Sequence, residues 1–364
     1  MKKAAAQSAS LNLLSRLLLA RRDSASAMAE LEANALRLER NQFDDLIDAA
    51  SMHHVIMRAC GVLHAITRRA GDDERTQWVE HAICAERARI EKAVQFLAAI
   101  SSEFYRREKP VAVIKSLDHW PDLGSDLDLY TDADPNEIIE LMKIRFGAKI
   151  APRSWGDRLA RKWNFIIPRL PELVEIHVGR LGQTGEQFTI SSSILERTRC
   201  ILINGNSFQV PSGSDRLIIS TLQRMYRHFY FRLCDIVDST LLVESGSIDF
   251  RELRSVAMDA NIWEGVATYL VIVSDYVKLY RDTPLDLPSW LVSSARFGGK
   301  EIYYSRDFLR VPLMPQSAML YGAQLAGVLS RGRLKSGARL SLLPWLATVA
   351  LVGQKITGSD KGIW

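Results

Sequence analysis

Apolar residues recur at intervals of three and four through Leu46, Ile47, Ala50, Val55, Ile56, Ala59 and Leu63, and again through Val79, Ile83, Ile90, Val94, Leu97 and Ile100. That spacing puts them on one face of a helix. It predicts a helical region from about Ala27 to Glu108, with an early helix over Ala49–Ala65 and a turn at Gly71–Asp72–Asp73. Ahead of it, Met1–Lys2–Lys3, the apolar run Leu11–Ala20 and Ser24–Ala27 imitate a secretory leader. Arg16 interrupts that run and Arg21–Arg22 closes it, which suits an amphipathic helix and a cytoplasmic protein better.

The period changes at Val111. Val111–Ile114 reads as a buried strand, Lys115–Ser116 as the turn leaving it, and Asp126–Tyr130 as a second strand that begins after Gly124–Ser125. Strand side chains alternate faces, so Asp126 and Asp128 point one way while Leu127 and Leu129 point the other. Like charges held this close resist ionisation unless a cation sits between them, and oxygen ligands favour a hard ion such as magnesium. Leu173–Val178 alternates in the same manner and places Glu175 and His177 on one face. If that strand lies beside the first, Glu175 joins Asp126 and Asp128 as a third acid; otherwise Glu175 and His177 form a solvated sheet face.

Apolar strand, Ser-bearing turn, D-x-D strand and a later acid together resemble the nucleotidyltransferase fold of the DNA polymerase beta superfamily. Ile114–Lys115–Ser116, nine intervening residues and Asp126–Leu127–Asp128 occupy that signature. More narrowly the chain is similar to a bacterial family of uncharacterised nucleotidyltransferases, with Lys115, Asp126, Asp128, Glu175 and His177 at matching positions and the likeness running from about Leu46 to Leu279. The resemblance implies transfer of a nucleoside monophosphate from an NTP to a hydroxyl-bearing acceptor. It implies Asp126, Asp128 and Glu175 as catalytic residues and ligands of two Mg2+ ions, and Lys115, Ser116, Ser125, His228 and Arg232 as nucleotide contacts. Ser116 stands where the family usually has Gly, and the stretch before Asp126 is short, so a catalytically weak or inactive binding protein is the alternative.

The expected fold is α+β and mostly helical, a small mixed-sheet core flanked by helical regions. The ranges are 1–108, 109–215 for the nucleotidyltransferase-like core, 216–305, and 306–364 for a basic, apolar tail. Within the core, Asp134–Pro135–Asn136–Glu137 starts a helix that Gly147 ends. Arg153, Arg158, Arg161, Lys162 and Arg169, interleaved with Trp155 and Trp163, either neutralise a triphosphate or form a solvated face. Leu217–Leu242 reads as one long amphipathic helix carrying His228, Arg232, Asp235 and Asp238, with helices opening near Asp249 and Trp263.

At 364 residues and 47% hydrophobic content, the chain has the composition of a globular protein. Its four cysteines form no C-x-x-C pair, so neither a disulfide framework nor a structural zinc site is indicated; His81 and Cys84 read as packing residues, and His53 and His54 as one core and one surface histidine. The net charge is +5, but Arg310–Trp364 carries seven Lys or Arg against one Asp, so the rest of the chain is at −1. Both apolar runs of that tail, Ser317–Leu329 and Leu340–Gly353, are too short to span a bilayer. A docked helical appendage fits them best, with peripheral membrane contact or nucleic-acid attraction as the alternatives, and no basic stripe with regular aromatic stacking marks specific nucleic-acid recognition.

Overall fold

In the computed structural model, which describes residues 2–20, 25–305, 307–346 and 348–349, helices form wherever the three-and-four spacing runs unbroken. They are α1 (Lys2–Leu19), α2 (Ala25–Leu36), α3 (Arg40–Met52), α4 (Ile56–Ala70) and α5 (Asp73–Arg106). The turn expected at Gly71–Asp73 is present: Gly71 takes φ +67, and the Asp72 carboxylate caps α5 by accepting the Arg75 N–H at 3.0 Å. The single helix expected over Ala49–Ala65 is instead two. His53 leaves the helical path because Nδ1 of its buried ring accepts the Leu233 N–H at 3.0 Å while Nε2 meets the Asp307 carbonyl at 2.9 Å. These long-range bonds outweigh the local ladder, and His54 follows with φ +53. His81 and Cys84 are exposed on α5 and pack against nothing central, a correction to their reading as packing residues.

The core sheet follows. Its strands are β1 (Val111–Val113), β2 (Asp126–Thr131), β3 (Lys149–Ile150), β4 (Lys162–Ile166) and β5 (Leu173–Val178), with α6 (Pro135–Phe146) and α7 (Trp155–Leu159) between them. Their order is β1-β2-β5-β4-β3, with β2 and β5 parallel and the other pairs antiparallel. Asp134 caps α6 through the Asn136 N–H at 2.8 Å, Pro135 occupies its first position, and Gly147 at φ +59 ends it. One face of the sheet is apolar: Leu127, Leu129, Val174 and Ile176 pack against Val94, Leu97, Ile100 and Phe104 of α5 and Leu141 and Met142 of α6. Each such side chain contributes about 1.5–3 kcal/mol. That burial fixes the register, because a one-residue slip of β2 would turn both aspartates into the core.

Beyond the sheet come α8 (Phe188–Ser191), the hairpin β6 (Thr198–Ile203) and β7 (Asn206–Pro211), α9 (Gly213–Met225), β8 (Tyr230–Phe231), α10 (Leu233–Glu244), α11 (Phe250–Asp259), α12 (Trp263–Arg281), α13 (Ser289–Val292), β9 (Tyr303–Ser305), β10 (Phe308–Arg310), α14 (Ala318–Ser330) and α15 (Leu334–Ser341). The long helix expected over Leu217–Leu242 is thus broken. Tyr226–Arg232 is rich in aromatic residues that suit a pleated strand, and β10 captures it, pairing Leu309 with Phe231 and Arg310 with Tyr230. The N-terminal helices and α9–α12 share one apolar core that runs from Leu14 through Leu63 to Tyr269. The whole is α+β and mostly helical.

Leu320 and Val328 of α14 and Leu340 of α15 are buried, so this part of the tail docks on the body. Arg21, Arg22, Ser24, Ala347 and residues 350–364, with the rest of the second apolar run, lie outside the described residues. Among the described residues no helix is long and apolar enough to cross a membrane.

Candidate active site

β1 ends in a three-residue turn. Lys115 takes φ +62 and ψ −57, and the Ser116 N–H donates back to the Ile114 carbonyl at 2.6 Å, closing a γ-turn that is rare and strained for a residue with a side chain. Such a conformation costs about 1–3 kcal/mol and persists only where the surroundings impose it. The positive dihedral therefore falls on Lys115, not on Ser116. The Ser116 hydroxyl donates to the Asp126 carbonyl at 3.1 Å and accepts the Asp128 N–H at 2.7 Å. It clamps β2 to the turn, with its hydroxyl and N–H both engaged.

The third acid arrives as the alternation implied. β5 lies beside β2 with Asp128 opposite Glu175, so both face the side of the sheet away from α5. Lys115 Nζ pairs with Asp128 Oδ1, and His177 Nε2 lies 3.2 Å from the same oxygen. Burial works against the Asp128 charge, but Lys115 and His177 outweigh it and hold its carboxyl below the usual range. Burial and Lys115 lower His177, which favours its neutral imidazole, and among the described residues its buried Nδ1 has no hydrogen-bond partner. Lys162, arriving on β4, bonds Glu175 Oε1 at 3.0 Å and Oε2 at 3.1 Å, and Asp157 Oδ1 at 3.0 Å. Asp126 has only the Ser125 hydroxyl, at 3.3 Å, and no cation within 4.0 Å among the described residues. Burial, then Glu175 and Asp128, push it up to about 6.

The same cavity also carries a basic set, supplied by α9 and the segment that was expected to be helical. Arg224, Arg227, His228, Tyr230 and Arg232 line the same cavity of about 190 Å3 as Asp126, Asp128 and Glu175, with His54 and His119 at its side. Arg224 pairs with Asp235 at 2.7 Å, but among the described residues the buried Nε atoms of Arg227 and Arg232 have no hydrogen-bond partner. The positive field is legible in the histidines. Burial and then Arg227, Arg224 and Arg232 hold His228 well below its ordinary value, and burial with Arg232 holds His54 down at about 2.

All eight site residues named from the sequence, Lys115, Ser116, Ser125, Asp126, Asp128, Glu175, His228 and Arg232, line this one cavity. Two details add to this. Around these acids, the side-chain atoms of ligand type that lie within 4.8 Å of one another belong to Asp128, Glu175 and His177, a group that includes His177 and not Asp126. Of the basic stretch, only Lys162 reaches the cavity; Arg153 stacks on Trp163 with its guanidinium 3.4 Å from the ring centre, and Arg158 lies over Trp155. Sequence reasoning missed His54, His119, Arg224 and Arg227. Arg224, Arg227, His228 and Arg232 are spaced so that even a continuous helix would carry them on one face, but nothing local in the sequence shows that this face meets β2 and β5.

Beneath the cavity, the 3-10 turn Ser116–His119 sits on a second polar cluster. Arg58 pairs with Asp122 at 2.7 Å and Asp238 at 2.6 Å, His119 Nδ1 bonds Asp238, Arg216 pairs with Asp118 at 2.6 Å, and Cys234 Sγ lies 3.9 Å from His119 Nε2. His119, Cys234 and Asp238 have the spacing of metal ligands. Arg58 and His119 already occupy the Asp238 carboxylate, so the cluster reads as a strut that fixes the turn.

No protein-family profile matches the sequence, and no curated protein is significantly similar to it. Among solved structures, the antibiotic-resistance factor ANT(2'')-Ia shares 11% identity, with coverage of 46% of this chain and 90% of its own, at a TM-score of 0.33. So low a score adds nothing to the geometry.

Proposed function

We propose that this protein is a cytoplasmic, magnesium-dependent nucleotidyltransferase that moves a nucleoside monophosphate from an NTP to a hydroxyl-bearing acceptor. One observation carries the reading: a single cavity lined both by Asp126, Asp128 and Glu175 and by Arg224, Arg227 and Arg232, in which, among the described residues, Asp126 has no cation and the Nε atoms of Arg227 and Arg232 have no hydrogen-bond partner. A metal-triphosphate offers both sets a partner. Asp128 and Glu175, with the neutral His177 beside them, fit a divalent cation, and the partnerless Nδ1 of His177 and the raised Asp126 mark where compensation is missing. When bound, such a cation supplies charge neutralisation at the reacting phosphate and favours ionisation of the attacking hydroxyl.

The chain's own groups do the rest. Arg227 and Arg232 bind the β- and γ-phosphates, which stabilises the leaving pyrophosphate. Asp126, with its pKa near 6, takes the proton of the acceptor hydroxyl as general base. The acceptor oxygen forms a bond to the α-phosphorus, the bond to the bridging oxygen breaks, and pyrophosphate leaves with that electron pair. Lys115 and Lys162 hold Asp128 and Glu175 in place until the cation enters. The test is transfer of labelled NMP from each NTP in the presence of Mg2+ and cell extract. Asp128→Asn is expected to lower it by about a thousandfold, and unchanged turnover in that variant rejects the assignment.

A second reading is favoured by the two lysines. If they occupy the carboxylates permanently, the protein binds a nucleotide without turning it over. Calorimetry separates the two: NTP binding that is indifferent to Mg2+, with no product, selects the non-catalytic form.

A further inference from the structure

A larger concavity lies elsewhere. The loop after β5, the short helix α8, and the turn from α14 into α15 enclose about 900 Å3, lined by Arg161, Arg180, Arg333, Lys335 and Arg339. Among the described residues none of these five cations forms an ion pair with a carboxylate. Arg180 donates to the Leu159 carbonyl at 2.9 Å, Arg333 to the Asp259 carbonyl at 2.9 Å and Arg339 to the Gly185 carbonyl at 3.2 Å, which positions the guanidiniums without neutralising them. The one carboxylate in the lining, Glu186, is buried and turned to Thr184, from whose N–H and hydroxyl it accepts at 2.9 and 3.0 Å. Arg180 is lowered by burial and then by Arg339 and Arg161, so the like charges are felt at the floor of the groove. The first turn of α15, which has no acidic residue, presents its positive end to the same space.

Five cations without a carboxylate partner around one hollow give it a positive field that attracts an anion. The shape narrows which anion. A single phosphate engages one or two of these groups and leaves the others repelling. A bilayer is flat and cannot follow the groove down to Arg180 and Arg339, which are half-buried. A chain of phosphates can enter and reach all five. Phe188, 61% exposed on the groove wall, adds an aromatic face among the cations, the combination that holds an unpaired base.

We propose that this groove binds single-stranded nucleic acid through its phosphodiester backbone, without sequence preference, with one base stacked on Phe188. The site is separate from the cavity between α9 and β2, and its occupancy does not depend on whether that cavity turns over nucleotide.

The experiment is fluorescence anisotropy of a labelled oligouridylate with the full-length protein. Saturable binding is expected, with log affinity falling against log salt at a slope of about −2 to −3.5, as for three to five neutralised phosphates. Arg161 and Lys335 are exposed, so Arg161→Glu with Lys335→Glu leaves the fold intact; it is expected to weaken binding by at least about tenfold. Phe188→Ala is expected to weaken it by about tenfold, and Lys92→Glu, on the exposed surface of α5, by less than about twofold. The proposal is overturned if the double variant or Phe188→Ala binds like wild type, or if Lys92→Glu loses as much as the double variant. It is equally overturned if inorganic polyphosphate or phosphatidylglycerol vesicles bind and the oligouridylate does not.

Discussion

Two polar clusters share the 3-10 turn after β1, and they differ in how their charges are matched. Below the turn, Asp118, Asp122 and Asp238 each have an arginine within 2.7 Å. Above it, among the described residues, Asp126 has no cation, while Arg227 and Arg232 of the same cavity have Nε atoms without a hydrogen-bond partner. Burial raises Asp118 and Asp122 even with their arginines in place, so burial resists charge in both clusters. What separates them is that the lower cluster closes on itself and the upper one is completed only by something from outside. Matched charges make a strut; separated, unmatched ones make a binding site.

The largest effect expected from this contrast concerns Arg58 and Arg227. Burial opposes the Arg58 charge, but Asp238 and Asp122 outweigh it, so Arg58→Ala strands two buried carboxylates. The expected loss is about 3–5 kcal/mol in urea unfolding. Arg227→Ala removes an unpaired cation from a crowded positive wall and is expected to change stability by less than about 0.5 kcal/mol while weakening NTP binding. Equal losses in the two variants would show that the cavity is a second strut, and the contrast would fail.

The same contrast explains what could be read from the sequence. The strand faces were legible because alternation is local: Asp126 and Asp128 oppose Leu127 and Leu129 whatever surrounds them. Glu175 was legible because its strand carries the same alternation. The cap at Asp134 and the stop at Gly147 were legible for a similar reason, since both act within a few residues. Illegible features were those set by distant bonds. His53 breaks a good helical pattern to reach Leu233 and Asp307, and Tyr226–Arg232 leaves a helix for β10. The partnership of Lys162 with Glu175 depends on the β4–β5 register, and the groove collects residues from Arg161 to Arg339 that no window of sequence shows together.

His53 gives the next effect in size, and it belongs to the strut side. Burial lowers it to about 4, and its Nδ1 must stay unprotonated to accept the Leu233 N–H. The unfolded chain takes up a proton below about pH 6.5 while the folded protein does not until about pH 4. The stability present above pH 6.5 is therefore lost as pH falls through that window, by about 3 kcal/mol in total. Urea unfolding between those pH values measures the slope. His53→Gln is expected to make it shallower by the His53 share while leaving the same-signed slope of His54, His177 and His228, and an unchanged slope assigns the acid sensitivity to those other groups.

Asp126 gives the smallest effect, with the opposite sign. Its carboxyl is held at about 6 against 3.8 for the free side chain. Between those values the folded protein keeps a proton that the unfolded chain has released, so stability falls as pH rises, and the deficit is complete above about pH 6. Without added metal, Asp126→Asn is therefore expected to stabilise the protein at pH 7 by about 1–2 kcal/mol, discounted because the side chain borders an open cavity. Below about pH 4 the two proteins should unfold alike, since both side chains are then neutral. A residue that merely props up the fold behaves the other way: if Asp126→Asn loses stability at pH 7, the carboxylate already has its partner and the acidic wall is not waiting for a cation.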